Sequence, residues 1–317
     1  MRNYKYSLEF PLTTRPDVNL TALRNLMTLM LGLALLSFFI APASWAQSKK
    51  KSKEMCITFD ELPASRAFGE VDAEALNYLI LQGLRNHDIK AAGFVVGSYI
   101  EGSFDILGQW LNEGHTLGNL TNSNQDYHQI DIRSFISDIA KGYNVLEPML
   151  SGFGQKKQYF RFPYLHYGTK LKTKEAVNIY LEDQDIITVH ATIVVDDYLY
   201  NLTMEKLGKV PDSNSLRQLR YEYIEHITFK IQDAELKSKQ VLGRSCRQIL
   251  QFRANRINAV FLEEILTAIE NLDYKFVSLE RALKDKLYGR AEAYYGARGV
   301  GFLDMILESD PDHLPAE

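Results

Sequence analysis

Cysteine is scarce in this 317-residue chain, with only Cys56 and Cys246 present. At most one disulfide can form, and nothing in the sequence brings the two sulfurs together, so buried free thiols are expected. Excess positive charge is also missing. A net charge of −4 leaves no basic footprint, which argues against nucleic acid as a partner. The one dense basic run, Lys49-Lys50-Lys51-Ser52-Lys53, reads as a solvated linker. There is no repeat and no low-complexity tract, and no Pro/Gly/Ser-rich stretch divides the chain beyond it. One domain is expected. Long apolar runs are absent too. The longest, Leu26 to Ala41, has 16 residues, short of the roughly 20 that a stable membrane-spanning helix needs.

That run has another reading. Arg24 precedes it, and Pro42-Ala43-Ser44-Trp45-Ala46-Gln47 follows. A charged segment, an apolar segment and small residues at Ser44 and Ala46 describe a secretory signal cleaved after Ala46. The chain is therefore expected to be secreted or periplasmic, starting at Gln47, with membrane attachment only if the signal stays uncleaved. The expected organisation is a signal at 1–46, a basic linker at 47–54, one domain at 55–303 and a C-terminal tail at 304–317.

Strand and helix patterns alternate from Met55 onward. Asp72 can cap a helix that carries Leu76, Leu79, Ile80 and Leu84 on one face, and Asp131 can open another with Phe135, Ile136, Ile139 and Tyr143. Strands are expected at 91–96, 159–162, 249–252 and 274–277, with a β-rich run at 186–195 and a long helix at 215–239. Such alternation predicts an α/β fold with a mostly parallel sheet, open or closed into a barrel.

Chemistry gathers at the strand ends. Ile57-Thr58-Phe59 runs into two adjacent carboxylates, Asp60 and Glu61, before Pro63 stops the strand. Adjacent carboxylates repel unless a metal, a cation or a shared proton compensates them. Further polar segments follow: the turn-prone stretch Gly114-His115-Thr116-Leu117-Gly118-Asn119-Leu120-Thr121-Asn122-Ser123-Asn124, then Arg161-Phe162-Pro163-Tyr164, then Val194-Val195-Asp196-Asp197-Tyr198, and finally Leu250-Gln251-Phe252-Arg253. In this order they could line one mouth of a barrel.

Together the five segments resemble the polysaccharide deacetylase family, the NodB-homology or chitin-deacetylase-like carbohydrate esterases. The first looks like that family's Thr-Phe-Asp-Asp-Gly-Pro motif and the second like Gly-His-x-x-Gly-Asn-His-Thr-x-Ser-His. The third resembles Arg-x-Pro-Tyr, the fourth Asp-x-x-Asp-Trp and the fifth Leu-Leu-Leu-His. The resemblance implies a deformed (β/α) barrel of about seven parallel strands, with the site at the strands' C-terminal end. It also implies removal of N- or O-acetyl groups from a glycan by a divalent metal, usually zinc, which activates water and polarises the acyl group.

Carried across residue by residue, Asp60 matches the base, Arg161 the arginine that orients it, and Asp197 a supporting carboxylate. Pro163 and Tyr164 match the substrate-side turn, and Tyr198 stands where a tryptophan belongs. Glu61 replaces the ligand aspartate and is the one vestigial metal ligand. Leu120 and Asn124 replace the two ligand histidines, Arg253 the acid histidine, and Val194 the first aspartate of the fourth motif. Leucine cannot ligate, and a neutral amide is a poor zinc ligand beside imidazole. Arginine has no accessible deprotonation near neutral pH.

The resemblance thus implies a related but catalytically impaired protein. No tightly bound metal is expected, unless it is active with zinc or another divalent metal. An acetylated polysaccharide or a peptidoglycan-like glycan is the expected partner, with Tyr164, Tyr167 and Tyr198 offered for stacking on sugar rings. Two other readings stay open: an active deacetylase with rearranged ligands, drawing His128 or His166 to Glu61, and a non-catalytic envelope interaction protein. His115 reads as structural, and Asp126 as a turn residue.

Overall fold

The computed structural model describes residues 52–67, 71–208 and 212–309. The expected signal and its cleavage point lie outside those residues. Among the described residues no helix is long and apolar enough to cross a membrane.

Among the described residues all the strands belong to one sheet. They are β1 (Lys53–Leu62), β2 (Ala92–Val95), β3 (Thr116–Asn119), β4 (Gln158–Phe160), β5 (Ile186–Thr188), β6 (Ile193–Val194), β7 (Gln248–Arg253) and β8 (Tyr274–Phe276). The spatial order is β5-β4-β3-β2-β1-β7-β6, with β8 beside the first residues of β1, and every pairing is parallel. Helices α1 (Ala73–Asn86), α2 (Phe104–Asn112), α3 (Ile132–Gly152) and α4 (Leu171–Asp183) connect β1 to β5 in turn. Between β6 and β7 come α5 (Asp197–Lys206) and α6 (Ser213–Leu242). Then α7 (Arg256–Glu270) leads to β8, and α8 (Leu279–Ala282) and α9 (Phe302–Leu307) follow.

The sheet is curled, and the chain itself shows why. Val189 donates to the Phe160 carbonyl of β4, and Thr192 donates to the Ile249 carbonyl of β7. Three residues can span only about 11 Å, so the two free edges of the sheet come within that distance. Phe302, opening α9, donates to Ala191 and covers this seam. The seven-strand path is the deformed (β/α) barrel expected from the motifs.

Side-chain alternation sorts the interior. Cys56, Ala92, Phe94, Leu120, Tyr159, Val189 and Ile249 form one apolar cluster, and Leu279 and Ala282 of α8 join it. Two residues further along their strands, on the same face, come Thr58, Gln251 and Arg161. The opposite faces, with Ile57, Phe59, Leu250 and Phe252, join the larger core that includes α1 and α7. Strands covered on both sides are near-continuously apolar, as β1 is. Both cysteines are separate buried thiols, each pushed up to about 12 by burial.

Several boundaries differ from the sequence reading. The strand opens at Lys53, inside the expected linker, because Lys53 lies 4.6 Å over the Tyr274 ring and Glu54 pairs with Arg247 and Arg281. The domain runs past 303, since α9 buries Phe302, Leu303 and Met305. Residues 116–119, expected as part of a turn, form β3. Gly118 permits this, because a Cβ there would sit 2.8 Å from the Phe94 ring and from the Tyr159 carbonyl. Helix α5 was not foreseen. Leu79 lies at the edge of its apolar stripe and is 38% exposed.

Helix α3 meets the end of β3 through Gly142, where a Cβ would lie 2.3 Å from Asn119 Oδ1 and 2.9 Å from the Thr121 carbonyl carbon. Backbone cannot yield as a side chain tip does. Gly142→Ala should therefore destabilise the fold by about 1–3 kcal/mol, read as a shifted urea midpoint. An unchanged midpoint would show that this approach is looser than described.

Candidate functional site

Backbone strain marks the barrel mouth. Glu61, Thr121, Asn124, Tyr164, Leu165 and Asp196 all have positive φ, between 50° and 65°. Each lies at or just beyond a strand's C-terminal end. The other positive-φ non-glycine residues among those described, Asp88, Asp185 and Asp273, precede strands at the opposite end. Left-handed backbone is tolerable for aspartate but costly for tyrosine, leucine and threonine, and such strain collects at functional sites.

Below this rim lies a buried ion pair. Arg161, wholly buried, donates from Nη1 to Asp60 Oδ1 and to Thr58 Oγ1, both at 2.7 Å, and from Nε to the Val189 carbonyl at 3.1 Å. Gln251 Nε2 donates to the other oxygen of Asp60 at 2.6 Å. Both carboxylate oxygens of Asp60 are therefore engaged, one by a guanidinium and the other by an amide. Gln251 was missed by the motif reading. The strand's period of two could have found it, since it shares a face with Arg253.

A second network lies above. Asp197 accepts from the Arg253 backbone N–H, from Arg253 Nη1 and from Asn258 Nδ2, each at 2.6 Å. Arg253 Nε reaches Glu61 Oε1 at 3.2 Å, and its guanidinium carbon lies 5.4 Å from the centre of the Tyr198 ring. Arg253 thus bridges Glu61 and Asp197, whereas Asp60, its register partner on β1, belongs to Arg161. Burial opposes the charge on Arg253, but Asp197 and then Glu61 outweigh it and raise its pKa. For Glu61 burial wins: its carboxyl is pushed above the ordinary 4.5 despite Arg253 and a hydrogen bond from Ser65. Asp197 is therefore the principal partner of Arg253, and Glu61 the lesser one.

The family's metal position does not fit these residues. Leu120 packs in the apolar interior beside Phe94, 1% exposed. Asn124 is bound through its backbone N–H to Thr121 Oγ1. Glu61, the one carboxylate left, already faces a guanidinium. A divalent ion there would meet a fixed cation and one shared ligand, where zinc sites use three or four.

The remaining sequence candidates separate clearly. Pro163 is buried and shapes the turn, while Tyr164 and Tyr198 are 45% and 43% exposed at the rim. Tyr167 is not available for stacking; it is buried against Phe162 and His190. His115 is buried, accepts from the Ala91 N–H, and is held neutral, its pKa lowered to about 4 by burial. His128 and His166 gather round Asp126 rather than Glu61.

Residues 47–179 match the family model described as polysaccharide deacetylase. Across that segment the chain belongs to the polysaccharide deacetylase family. A peptidoglycan-N-acetylglucosamine deacetylase of Bacillus cereus is 31% identical over 111 residues. That match covers 35% of this chain and spans only 36% of the relative's length. Among solved structures, a polysaccharide deacetylase from Bacillus cereus has a TM-score of 0.52 at 16% identity, covering 71% of this chain and 91% of that one. A CE4 family pseudoenzyme from Bacillus anthracis has a TM-score of 0.50 at 15% identity, covering 74% and 66%. These two share the deacetylase fold. The family match ends before Asp197 and Arg253, so their reading rests on geometry.

Two stability measurements test the upper network. Arg253→Ala and Asp197→Ala should each cost about 3–5 kcal/mol, because each deprives a buried charge of its principal partner. The double variant should lose much less than the sum, and strict additivity would deny the pairing. For Glu61 the folded pKa is raised, so the folded state holds the extra proton. Its stabilisation is full below 4.5 and is lost as pH rises through the folded value. Glu61→Gln should flatten that part of the stability–pH curve; an unchanged slope would mean that Glu61 is not its source.

Proposed function

We propose that this chain is an exported member of the deacetylase family whose hydrolytic chemistry is lost or greatly weakened, and whose barrel mouth binds an acetylated polysaccharide or a peptidoglycan-like glycan. One observation carries the reading: Arg253 joins Glu61 and Asp197 by charge where the family's chemistry needs an open metal and a titrating acid. Asp60 supports it, because both of its oxygens are already engaged. The surviving parts are those of recognition. Tyr164 and Tyr198 present half-exposed rings beyond the ends of β4 and β6, and Arg66 stacks on Tyr99 with its guanidinium carbon 3.8 Å from the ring centre. Aromatic faces with a polar edge suit sugar rings, which offer C–H surfaces bordered by hydroxyls.

Export rests on the 26–41 run and Ser44-Trp45-Ala46. N-terminal sequencing of secreted or periplasmic material should begin at Gln47, and an intact 26–41 segment would favour an anchor. A mutant of a CE4 family pseudoenzyme has restored enzymatic activity, so the loss proposed for this chain has a structural parallel within the fold.

The protein should release little or no acetate from acetylated chitooligosaccharides, xylan or peptidoglycan fragments, with or without added zinc. It should nonetheless bind one of these glycans, and Tyr164→Ala or Tyr198→Ala should weaken that binding about 3- to 10-fold. Substantial, chelator-sensitive acetate release by the unmodified chain would overturn the impaired reading. Absence of binding to all of these glycans would overturn the recognition half.

A further inference from the structure

Three side chains outside both charge networks meet on the rim. Asp126 and His128 lie in a single helical turn at Tyr127–Gln129, with Asp126 as its cap, and His166 follows the Pro163–Leu165 turn. Asp126 Oδ1 accepts from the His128 backbone N–H at 2.8 Å and lies 2.7 Å from His166 Nδ1. The two imidazoles stack with centres 4.1 Å apart and planes 7° from parallel. His128 Nε2 accepts from the Gly168 N–H at 3.2 Å. One ligand atom from each of the three residues lies within 4.8 Å of the others, and all three side chains are partly buried.

We propose that Asp126, His128 and His166 bind one divalent transition ion of the zinc class, at a position displaced from the family's own metal site.

Two imidazoles and one carboxylate form a borderline nitrogen and oxygen set, which selects zinc-like ions over calcium or magnesium and leaves positions open for water or a sugar hydroxyl. The charge environment differs from that of Glu61. Among the described residues Asp126 has no lysine or arginine partner; its ion pair is with His166. No guanidinium therefore competes with an incoming cation. The frame is built rather than loose. Tyr164 and Leu165, at φ 58° and 55°, set the chain that carries His166. Gly299 packs so tightly behind it that a Cβ would sit 2.1 Å from the Tyr164 carbonyl and 3.3 Å from His166 Cδ2. Gly168, at φ 104°, turns its N–H toward His128.

Binding requires one local change. Ligand atoms at 2.0–2.1 Å around a tetrahedral zinc lie about 3.4 Å apart, closer than the 4.8 Å seen here. Stacked rings also direct their lone pairs side by side, so the imidazoles must tilt toward each other. Filling the site therefore breaks the stack, and loosens the Gly168 bond if Nε2 of His128 is the donor. This inference does not rest on the glycan-binding reading, because metal is measured separately from acetate and from sugar.

The experiment is a calorimetric titration of the chelator-treated full chain with zinc chloride, repeated with cobalt chloride for its visible spectrum. About one ion per chain should bind, zinc should raise the melting temperature, and the imidazole proton resonances of two histidines should shift. His128→Ala and His166→Ala should each weaken binding roughly 100-fold, since even supporting residues at metal sites cost 10- to 100-fold. Glu61→Gln should leave binding unchanged. His128→Asn and His166→Gln provide the same reading if an alanine variant does not fold, with circular dichroism as the check. No saturable zinc binding, or binding that survives in both histidine variants, would overturn the site. Loss of binding in Glu61→Gln would do so too, by returning the metal to the family's position.

Discussion

Arg161 is a cation sealed inside a barrel, and the architecture of the mouth hangs on how it is satisfied. Its guanidinium holds Asp60 and Thr58 of β1 and the carbonyl of Val189, where the chain starts across the seam. One face lies on the Phe94 ring, with the guanidinium carbon 4.1 Å from the ring centre. A charge taken so far from water persists only when it is paired and hydrogen-bonded. The same contacts therefore tie the first strand to the closing segment and keep Asp60 in place. Gln251 takes the remaining oxygen of Asp60, so the carboxylate is tied to β7 as well.

Above that pair the problem of adjacent carboxylates is solved twice, by two different cations. Asp60 is served from just beyond β4 by Arg161, and Glu61 from β7 by Arg253, with Asp197 as the anchor that positions Arg253. A guanidinium can bridge two carboxylates in fixed directions but cannot exchange a proton or open a coordination position. The Arg253 bridge balances the carboxylates of the mouth with a fixed cation. That is a coherent physical state for a protein that keeps the shape of the family's cleft.

Much of this was legible beforehand because alternation and residue chemistry are local. The strand ending at Asp60, the helices capped by Asp72 and Asp131, and the order of five motifs could be read directly. Gly114 to Asn124 was harder. Its glycines and asparagines signal turns, yet residues 116–119 join the sheet because Gly118 lets β3 lie against Phe94 and the Tyr159 backbone. Tyr167 was misplaced for a related reason: an aromatic near a motif looks like a binding surface until packing against Phe162 and His190 buries it.

By itself the amino-acid sequence determined the family resemblance and the parallel α/β plan, since motif order and the alternation of strand and helix patterns are local properties of the chain. Only the tertiary structure decided who pairs with whom. Asp60 and Arg253 are neighbours in register, yet the guanidinium turns to Glu61 and Asp197 because Asp60 is already held by Arg161 and Gln251. Asp126 and His166 are 40 residues apart and meet only because two strained loops converge on one rim. Composition and spacing carry no direction for a side chain; the curl of the sheet supplies it.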